Sequence, residues 1–487
     1  MRPFEWVLVL AVSAAIVGWL LGKRPPKPAG LLLLAVLVVH VATERPRMPM
    51  WPTYLLTALV VIAAARARAP AAGPRSPLGR ALRVGVAMAG LLLLTLPWLW
   101  PVMRLPAPTG PHPVGSTWLM VVDSARTERF RGHGHPREFP VKVWYPAAAD
   151  TGRMTPYLND AREIGLGILP PFLFEQQFLV RTHSTIGAPF ATGERWPVLV
   201  FSHGYGGFAG QNTVQMEDLA SHGYVVFSIV HPGEAGWTPF PAGAGMPMDS
   251  AQQAELRQMM ADTTLLPRFQ AAMKAIEAAT TTAERHERLK AFLDLSPEPL
   301  RSRSVAEWSA DTKGLVDLLE VLGKGAVASP FAGRLDLERI GIFGMSYGGA
   351  TAGEFCRLDS RCRAGANMDG GQFGGLADDS LTVPFLIMAS EENAGAHGPV
   401  LDLIRQAPGY LVTVPQTTHL GLTDLTLMGP LLRFTGVTGR LAPDRRETIM
   451  SRYLLAFFDT HLRGQPSTLL DGRSEEFPEV SIVRNTP

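Results

Sequence analysis

The sequence predicts an α/β domain, in which helices cover both faces of a mostly parallel sheet, preceded by an all-α region of about four membrane-spanning helices. Three observations predict this class. Apolar blocks fill most of residues 1–104, short β-rich runs alternate with helical patterns from about Gly115 onward, and a glycine-rich turn joins one of these runs directly to a helix. Continuous apolar strands that alternate with helices are typical of parallel sheets buried on both faces.

Composition supports a membrane portion and gives no support for a nucleic-acid ligand. The chain has 487 residues, of which 46% are hydrophobic, and its net charge is only +2. A chain of this length is too long to fold around one ordinary hydrophobic core, so we expect a main domain and a second part. The sequence has neither an H-E-x-x-H motif nor a P-loop motif, and two cysteines alone do not make a usual zinc site. We therefore expect no metal, no organic cofactor and no nucleic-acid partner.

Four apolar blocks precede the α/β domain. They are Phe4–Gly22, Ala29–Thr43, Trp51–Ala65 and Ala81–Val102. The first and fourth reach the length of about 20 residues that spans a bilayer, and the second and third are shorter. A cleaved signal peptide is the alternative for the first block. Because Arg2 is offset by Glu5 and further apolar blocks follow, we expect the block to be retained.

Basic residues in the connecting loops predict which side each loop faces. The loops after the first and third blocks carry seven of them: Lys23, Arg24, Lys27, Arg66, Arg68, Arg75 and Arg80. The loop between the second and third blocks carries only Arg45 and Arg47. Because Lys and Arg favour the cytoplasmic side, we expect a multi-pass protein of the cell (inner) membrane. The N-terminus and everything after Pro101 are then extracytoplasmic, on the periplasmic side.

Segment boundaries follow from the changes in composition. Residues 1–104 form the predicted transmembrane region, and residues 105–114 form a proline-rich, stiff linker. The α/β domain is expected over 115–465, followed by a C-terminal tail over 466–487.

The turn Gly344-Met345-Ser346-Tyr347-Gly348 presents the candidate nucleophile. It follows the apolar strand pattern "RIGIF" and precedes the helical pattern "GATAGEFCRL". Small residues around a serine permit a strained turn that exposes the hydroxyl, and the N-terminus of the new helix favours developing negative charge. This context predicts that Ser346 is a nucleophile rather than an idle turn residue.

A nucleophilic serine needs a base, and the base needs an orienting acid. His419 ends the late strand pattern "YLVTVPQTTH", where the chain order Ser, acid, His places the base. Two positions are open for the acid. Asp369 ends the strand pattern "RAGANMDGG", while Glu391 and Glu392 end the next one, and periodicity does not separate them.

Backbone N–H groups are expected to hold the oxyanion of the tetrahedral intermediate. The N–H of Tyr347, directly after the serine, is one donor, and the N–H of Tyr205 in the "HGYGG" loop is the other. Gly204 and Gly206 allow that loop to turn towards a substrate, and His203 is expected to stiffen it.

The same loop also fits the dinucleotide-binding pattern G-x-G-x-x-A over residues 204–209. That fingerprint requires an acidic residue at the end of the second strand, about 20 residues further on. Here the second strand reads "VVFSIVHPG" and no acid occurs until Glu234, so we do not expect nucleotide binding.

Two apolar segments are candidates for contact with a substrate. Residues 234–303 have helical periodicity and a Met/Leu face, which predicts either a cap over the site or a surface helical pair. Residues 164–180 either line an acyl pocket or touch the membrane. Cys356 and Cys362 are spaced to form a small disulfide if the compartment is oxidising.

Five segments, taken together and in order, resemble the platelet-activating-factor acetylhydrolase family of α/β-hydrolases. They are "VKVWYPA", "LVFSHGYGG", "LDLERIGIFGMSYGGAT", "NMDGG" and "TTHLGLTD", and the resemblance covers about residues 115–465. Related bacterial proteins are described as dienelactone-hydrolase-like. The resemblance implies an α/β-hydrolase fold, Asp369 as the acid, and the N–H groups of Tyr205 and Tyr347 as oxyanion donors.

The resemblance further implies a serine carboxylic-ester hydrolase that acts on lipid or short-acyl esters. Met345 stands where the family often has histidine, and Leu422 stands near a position that is often aromatic. We expect both to reshape the acyl pocket. An acyltransferase with the same triad, a polyester or cutinase-like hydrolase, and a non-catalytic membrane binding protein are the alternatives.

Overall fold

The structure, a computed structural model, divides into two units. It describes residues 1–66, 76–130, 134–164, 170–193, 195–240, 245–297, 300–325 and 329–485. The first unit is Met1–Met103 with two short segments from later in the chain, Glu175–Leu179 and Met428–Thr435. The second unit comprises Arg104–Phe174, Val180–Leu427 and Gly436–Pro487.

The first unit is helical, as predicted. Its helices are α1 (Pro3–Leu20), α2 (Lys27–Glu44), α3 (Trp51–Ala65), α4 (Pro77–Leu93) and the short α5 (Leu96–Leu99). Four segments of the described chain are long and apolar enough to cross a membrane: Pro3–Leu20, Lys27–Glu44, Met48–Ala65 and Pro77–Leu99. The second and third are longer than predicted, and each has 18 residues.

Helix α4 begins four residues before the predicted block because of its local capping signals. Ser76 accepts a hydrogen bond from the Gly79 N–H, and Pro77 occupies the first helical position. Arg80 therefore lies inside a helix instead of in the preceding loop. Arg68 and Arg75, two further basic residues of the loop after the third block, lie outside the described residues.

Charged residues at one end of the helical unit pair with each other. Arg47 is buried and donates from Nε and Nη2 to the Glu5 carboxylate, at 2.5 and 2.9 Å. Arg2 also donates to Glu5, and His40 lies 2.9 Å from the Glu44 carboxylate. This end lies where α1 begins and α2 ends, so Glu5 and Glu44, the only acidic residues of the first 104, have cationic or imidazole partners there.

In its described residues, the second unit is built around an eleven-stranded sheet with the order β13-β12-β11-β10-β9-β5-β6-β2-β1-β4-β3, whose strands are numbered along the chain. The strands are β1 (Val114–Thr127), β2 (Pro136–Pro146), β3 (Met154–Pro156), β4 (Arg181–Ile186), β5 (Trp196–Ser202), β6 (Val225–Ile229), β9 (Leu335–Met345), β10 (Cys362–Met368), β11 (Phe385–Ser390), β12 (Gly409–Val414) and β13 (Ser481–Asn485). A separate hairpin is formed by β7 (Trp237–Thr238) and β8 (Met246–Pro247). The six strands from β12 to β6 run parallel, as the continuous apolar runs predict.

Helices cover both faces of this sheet, which confirms the predicted fold class. The helices of this unit are α6 (Thr213–Ser221), α7 (Ser250–Ala261), α8 (Leu265–Glu277), α9 (Thr282–Leu293), α10 (Val305–Gly323), α11 (Tyr347–Leu358), α12 (Ala394–Leu401) and α14 (Pro443–Arg463), of which α6, α10, α11, α12 and α14 pack against the sheet. On one face Leu315 and Leu319 of α10 pack with the sheet, and on the other Met216 of α6 and Phe457 of α14 do so. The short α13 (Pro430–Phe434) belongs to the helical unit.

Two predicted boundaries differ from the structure. The segment expected to be a tail, 466–487, contains β13, whose Ile482 pairs antiparallel with Val412 of β12. The adjacent β-branched residues Ile482 and Val483 favour a strand over a free tail. The segment expected to be a linker, 105–114, donates from the Thr109 and Gly110 N–H groups to the side chains of Asp218 and Ser221.

Candidate active site

The chain turns sharply between β9 and α11, and Ser346 occupies the turn. Its φ and ψ angles are 56° and −118°, which is a strained conformation for a residue with a side chain. The Ser346 N–H donates to the Met368 carbonyl of β10 at 2.7 Å, which holds the strained residue at the carboxyl end of the sheet. The serine hydroxyl is thereby presented at the edge where parallel sheets carry their chemistry.

Glycines on either side of Ser346 are required by close approach of the backbone. A Cβ atom at Gly344 would lie 2.2 Å from the backbone of Gly348, and one at Gly348 would lie 1.9 Å from the Ser202 carbonyl oxygen. Neither contact is possible for a larger residue. The pattern G-x-S-x-G therefore follows from the geometry of this turn.

His419 lies against the serine, as the chain order predicts. It follows β12 and begins a short 3-10 turn, His419–Leu422. Its Nε2 is 2.8 Å from Ser346 Oγ, and its Nδ1 is 2.8 Å from Asp369 Oδ2. Burial alone would lower the pKa of His419, but the hydrogen bond and negative charge of Asp369 outweigh it, and the net effect raises that pKa above its ordinary value.

Asp369, not Glu391 or Glu392, contacts the imidazole. The Glu391 carboxylate accepts the backbone N–H of Gln416 at 2.7 Å, and the Glu392 carboxylate accepts the backbone N–H of His419 at 3.1 Å. These two carboxylates therefore hold the loop that carries the histidine. Asp369 is buried, which favours a neutral carboxyl, but its imidazole hydrogen bonds hold the pKa well below its usual range.

A second histidine, His397 of α12, also faces Asp369. Its Nε2 is 3.3 Å from Asp369 Oδ1, on the opposite carboxylate oxygen from the one that His419 contacts, and its side chain is almost fully buried. Ser390 and Asn393 complete the set of donors to this carboxylate, each at 2.8 Å. Sequence reasoning missed His397 because it is an isolated histidine in a short helix that matches no motif.

The "HGYGG" loop lies directly beside the nucleophile. A Cβ atom at Gly204 would be only 3.2 Å from Ser346 Cβ, and the Gly204 N–H donates to Gln211 Oε1 at 2.7 Å. Gly206 has a positive φ of 73° and donates its N–H to the Glu234 carbonyl at 2.9 Å. Tyr205 and Tyr347, the residues whose N–H groups are the predicted oxyanion donors, are in contact with each other through their rings.

The tyrosine side chains at this point are fixed by hydrogen bonds and aromatic contacts. The Tyr347 hydroxyl donates to the Leu300 carbonyl, and the Tyr205 hydroxyl donates to Gln252 Oε1. Trp308 of α10 contacts both rings, and its indole N–H donates to the Glu234 carboxylate at 2.6 Å. These contacts fix the side chains of the two residues whose backbone N–H groups are the predicted oxyanion donors.

Behind the loop, a second Ser–His–Asp chain is fully buried. Ser202 Oγ is 3.1 Å from His231 Nε2, and His231 Nδ1 is 2.9 Å from the Asp311 carboxylate. Arg137 is also buried and donates to Asp311 at 2.7 Å. His203 lies between this buried chain and the turn: its Nδ1 is 2.7 Å from the Gly204 carbonyl oxygen, and its Nε2 accepts the His231 N–H at 3.3 Å.

A cavity of about 400 Å³ opens at Ser346 and is largely apolar. The segment that was expected to be either a cap or a surface pair supplies much of its lining through α7, α8, α9 and the residues that follow: Met259, Phe269, Gln270, Met273, Leu289, Phe292, Leu293, Ser296 and Leu300. Ion pairs between Arg285 and Asp402 and between Lys290 and Asp378 tie α9 to the rest of the unit. The helices of this insertion therefore form part of the cavity wall, an arrangement that favours a cap over a surface pair.

Three other predicted pocket features are absent from the described lining of this cavity. Met345 and Leu422 were expected to reshape the pocket, but both are fully buried in the core on the α14 face. Side chains on a strand alternate between faces, and Met345 points to the side away from the cavity. Of residues 164–180, the described part does not line the cavity either, and Glu175–Leu179 belong to the helical unit.

The two cysteines form a disulfide between the end of α11 and the start of β10. In the described chain no group of histidine, cysteine and carboxylate side chains has the arrangement of a metal site.

Known proteins resemble this chain in sequence and in fold. A family model described as platelet-activating factor acetylhydrolase, isoform II, matches residues 100–472. Platelet-activating factor acetylhydrolase of Gallus gallus is 24% identical over 372 residues, which are 74% of this chain and 84% of the relative. The Cavia porcellus protein of the same name is 23% identical over 397 residues, which are 78% and 84% of the two chains.

One solved structure is similar over the full length of its chain. It is a ferulic acid esterase from Streptomyces cinnamoneus, with a TM-score of 0.60, 24% sequence identity, and coverage of 79% of this chain and 100% of its own. The resemblance is one of fold, and it agrees with the parallel sheet and the two helical layers described above.

Proposed function

The chain belongs to the family of platelet-activating factor acetylhydrolase, isoform II, and from this premise we propose that it is a serine carboxylic-ester hydrolase whose triad is Ser346, His419 and Asp369. The observation that carries the proposal is the pair of 2.8 Å contacts that link the serine to the histidine and the histidine to the aspartate. The strained turn at Ser346 and the adjacent "HGYGG" loop support it.

In the first half-reaction Ser346 Oγ attacks the ester carbonyl while His419 Nε2 takes the hydroxyl proton. The backbone N–H groups of Tyr205 and Tyr347 hold the oxyanion, and Asp369 stabilises the imidazolium that forms. The bond between the carbonyl carbon and the alkoxy oxygen then breaks, and His419 gives its proton to the departing alcohol. An acyl group remains on Ser346.

In the second half-reaction water takes the place of the alcohol. His419 accepts a proton from water as the water oxygen attacks the acyl carbon, and the same N–H groups hold the second oxyanion. The proton returns to Ser346 Oγ when its bond to the acyl group breaks. A carboxylic acid leaves, and the serine, histidine and aspartate return to their starting protonation states.

The apolar cavity favours an ester with an apolar chain. The cavity walls include methionine, leucine and phenylalanine side chains. Binding a hydrocarbon chain against them removes apolar surface from water, which lowers the free energy of binding. Apolar walls with a few placed polar groups are the usual character of a small-molecule site. We therefore assign the substrate class as lipid or short-acyl esters, in keeping with the relatives' names.

The four apolar helices, long enough to cross a bilayer, support a membrane location for this reaction. The excess of basic residues in the loops after α1 and α3 favours a cytoplasmic position for those loops and an extracytoplasmic one for the hydrolase unit. The proposed protein is thus a membrane-anchored esterase that acts outside the cytoplasm.

The first prediction tests the nucleophile. Ser346→Ala should lower turnover of p-nitrophenyl acetate by at least about 10⁴-fold and should abolish labelling by a fluorophosphonate, because both require the serine oxygen. Ser467→Ala is the control, since this side chain only caps a 3-10 turn near the C-terminus. Labelling of Ser346→Ala at the level of the unaltered protein would refute the assignment.

A further inference from the structure

The helical unit contains a cavity of about 500 Å³ that the esterase reaction does not use. It lies between α1, α3 and α4, at the end of the unit where α1 and α3 finish. Its walls are mostly small or apolar, and four basic residues also line it: Lys23, Arg24, Arg66 and Arg83. A cavity of this composition suits an amphiphile with a hydrocarbon part and an anionic part.

Within the described residues, these four cations pair with no carboxylate. The first 104 residues contain only two acidic residues, Glu5 and Glu44. Both lie at the opposite end of the helical unit, where Arg2, Arg47 and His40 occupy them. In the described chain Lys23, Arg24, Arg66 and Arg83 form no ion pair, and the Arg83 guanidinium lies over the Trp19 ring at 5.1 Å.

Unpaired cations beside an apolar cavity are stable only where water or an external anion reaches them. Burying an unpaired charge costs several kcal/mol, whereas Lys and Arg at helix ends extend to the polar interface of a bilayer. Anionic lipid headgroups lie at that interface on the cytoplasmic side, and basic pockets between transmembrane helices bind them.

A second cavity of about 500 Å³ lies on the other side of α1, between α1 and α2. Lys23, Arg24 and Pro25 line both cavities. A cationic position is therefore shared by two largely apolar cavities. A phospholipid has the matching arrangement, because one headgroup joins two hydrocarbon chains.

We propose that the helical unit holds an anionic phospholipid, with its phosphate among Lys23, Arg24, Arg66 and Arg83 and its hydrocarbon chains in the cavities beside α1. The site rests on the proposed membrane insertion and not on the esterase chemistry. The lipid stays bound within the helical unit, and its site is different from the one where Ser346 attacks the ester.

Native mass spectrometry of the full-length, delipidated protein in detergent tests the site. Phosphatidylglycerol is titrated against the unaltered protein and against two double variants, with phosphatidylcholine in parallel. Arg66→Gln with Arg83→Gln removes two cavity cations and should weaken phosphatidylglycerol retention at least about 10-fold, with little change for phosphatidylcholine.

Lys27→Gln with Arg80→Gln is the matched control. These two residues lie at the same end of the unit, are exposed and do not line the first cavity, so the double variant loses the same charge without touching the site. If both double variants weaken phosphatidylglycerol retention equally, the proposal is overturned, because the lipid then responds to the total positive charge of this end and not to a specific site. Fluorophosphonate labelling of Ser346 reports separately whether each variant is folded and whether the esterase assignment holds.

Ala63→Phe tests the hydrocarbon part, because this residue lines the first cavity and the larger side chain fills it without changing charge. Retention of phosphatidylglycerol should fall about 10-fold. Unchanged retention would place the lipid outside the cavity and overturn the proposal. Competition by inorganic phosphate at the same concentration as the lipid would do so too, because it would indicate a phosphate site without a hydrocarbon part.

Discussion

The imidazole of His419 is held between Ser346 and Asp369 by hydrogen bonds at both ring nitrogens, each 2.8 Å long. About one third of this side chain is exposed, while Asp369 is fully buried. The ring can therefore exchange protons with an incoming substrate while its orienting acid stays shielded from water. The pH dependence of the reaction reports on this pair.

The second prediction concerns that pH dependence. The pKa of His419 is raised above its ordinary value of about 6.5, and only the neutral imidazole accepts the serine proton. The value of kcat/KM for an acyl ester should therefore fall as pH decreases through a value above about 6.5. A full pH–rate profile measures it, and a lower limb below pH 6 would contradict it.

Variants at the neighbouring carboxylates give the control for this assignment. Asp369→Asn should cost about 10⁴-fold in kcat, because the imidazole loses the acid that fixes its tautomer. Glu391→Gln should retain most activity, because its carboxylate contacts a backbone N–H and not the ring.

The third prediction concerns His397 as a positioning residue for Asp369. His397→Leu removes the donor 3.3 Å from Asp369 Oδ1 and should lower kcat about 10-fold with little change in KM, since a hydrogen bond to a charged group is lost. His397→Gln keeps an N–H donor and should restore most of the rate. If the two variants behave alike, His397 acts only through packing.

The nucleophile and base could be predicted from sequence because their signals are local. A strand, a glycine-bounded serine and a helix specify the turn at Ser346, and chain order identifies His419. The acid could not be chosen from residue patterns, because Asp369 and Glu391 both follow apolar strands. Choosing between them requires the distance between side chains of different strands, which periodicity does not contain.

At the scale of elements, the helical insertion supplies much of the lining of the cavity at Ser346, and we call it the proposed cap. Helices α8 and α9 contact each other through the Phe269 and Phe292 rings, 5.2 Å apart, and both rings line the cavity. The Met/Leu face of this segment could be predicted from sequence. Its packing partner could not, because an amphipathic face fits a cavity and a second helix equally well.

The fourth prediction compares adjacent methionines of α7. Met259 lines the cavity, whereas Met260 is 60% exposed and does not. Met259→Ala should lower the ratio of kcat/KM for octanoyl over acetyl p-nitrophenyl esters about 10-fold, because it removes apolar contact that only the longer chain makes. Met260→Ala should leave the ratio unchanged. Equal ratios in the unaltered protein and both variants would mean that Met259 of the proposed cap does not contribute to recognition of the acyl chain.

At the scale of the whole molecule, the charge distribution and the disulfide both bear on which side of the membrane the hydrolase unit occupies. Loops rich in lysine and arginine favour the cytoplasm. Four crossings would bring the chain back to the side where it began, which is the extracytoplasmic side in the proposed topology. The order of the two units and the parallel sheet could be predicted from sequence. The strand β13 could not, because its pairing with β12 joins residues about 70 positions apart, a separation that local patterns do not encode.

The fifth prediction uses the disulfide to locate the hydrolase unit. Cys356 and Cys362 are the only cysteines, and oxidising compartments preserve such bonds. Cells are denatured in the presence of a maleimide–polyethylene glycol reagent, which reacts with free thiols. The protein should gain no adduct without a reductant and two adducts after reduction. Cys356→Ser should show one adduct without reductant. Two adducts on the unaltered, unreduced protein would place the unit in the cytoplasm.

The buried chain of Ser202, His231 and Asp311 has a consequence for how catalytic sites are recognised. It has the same residue types as the proposed triad, joined by hydrogen bonds in the same order, serine to histidine to aspartate. A search for three side chains in that arrangement would return both. Ser202 ends a regular strand and is covered on every side, whereas Ser346 sits on a strained turn at a cavity. The fold thus contains its own counterexample: hydrogen bonding alone does not distinguish a nucleophile from a structural serine, and access to a substrate does.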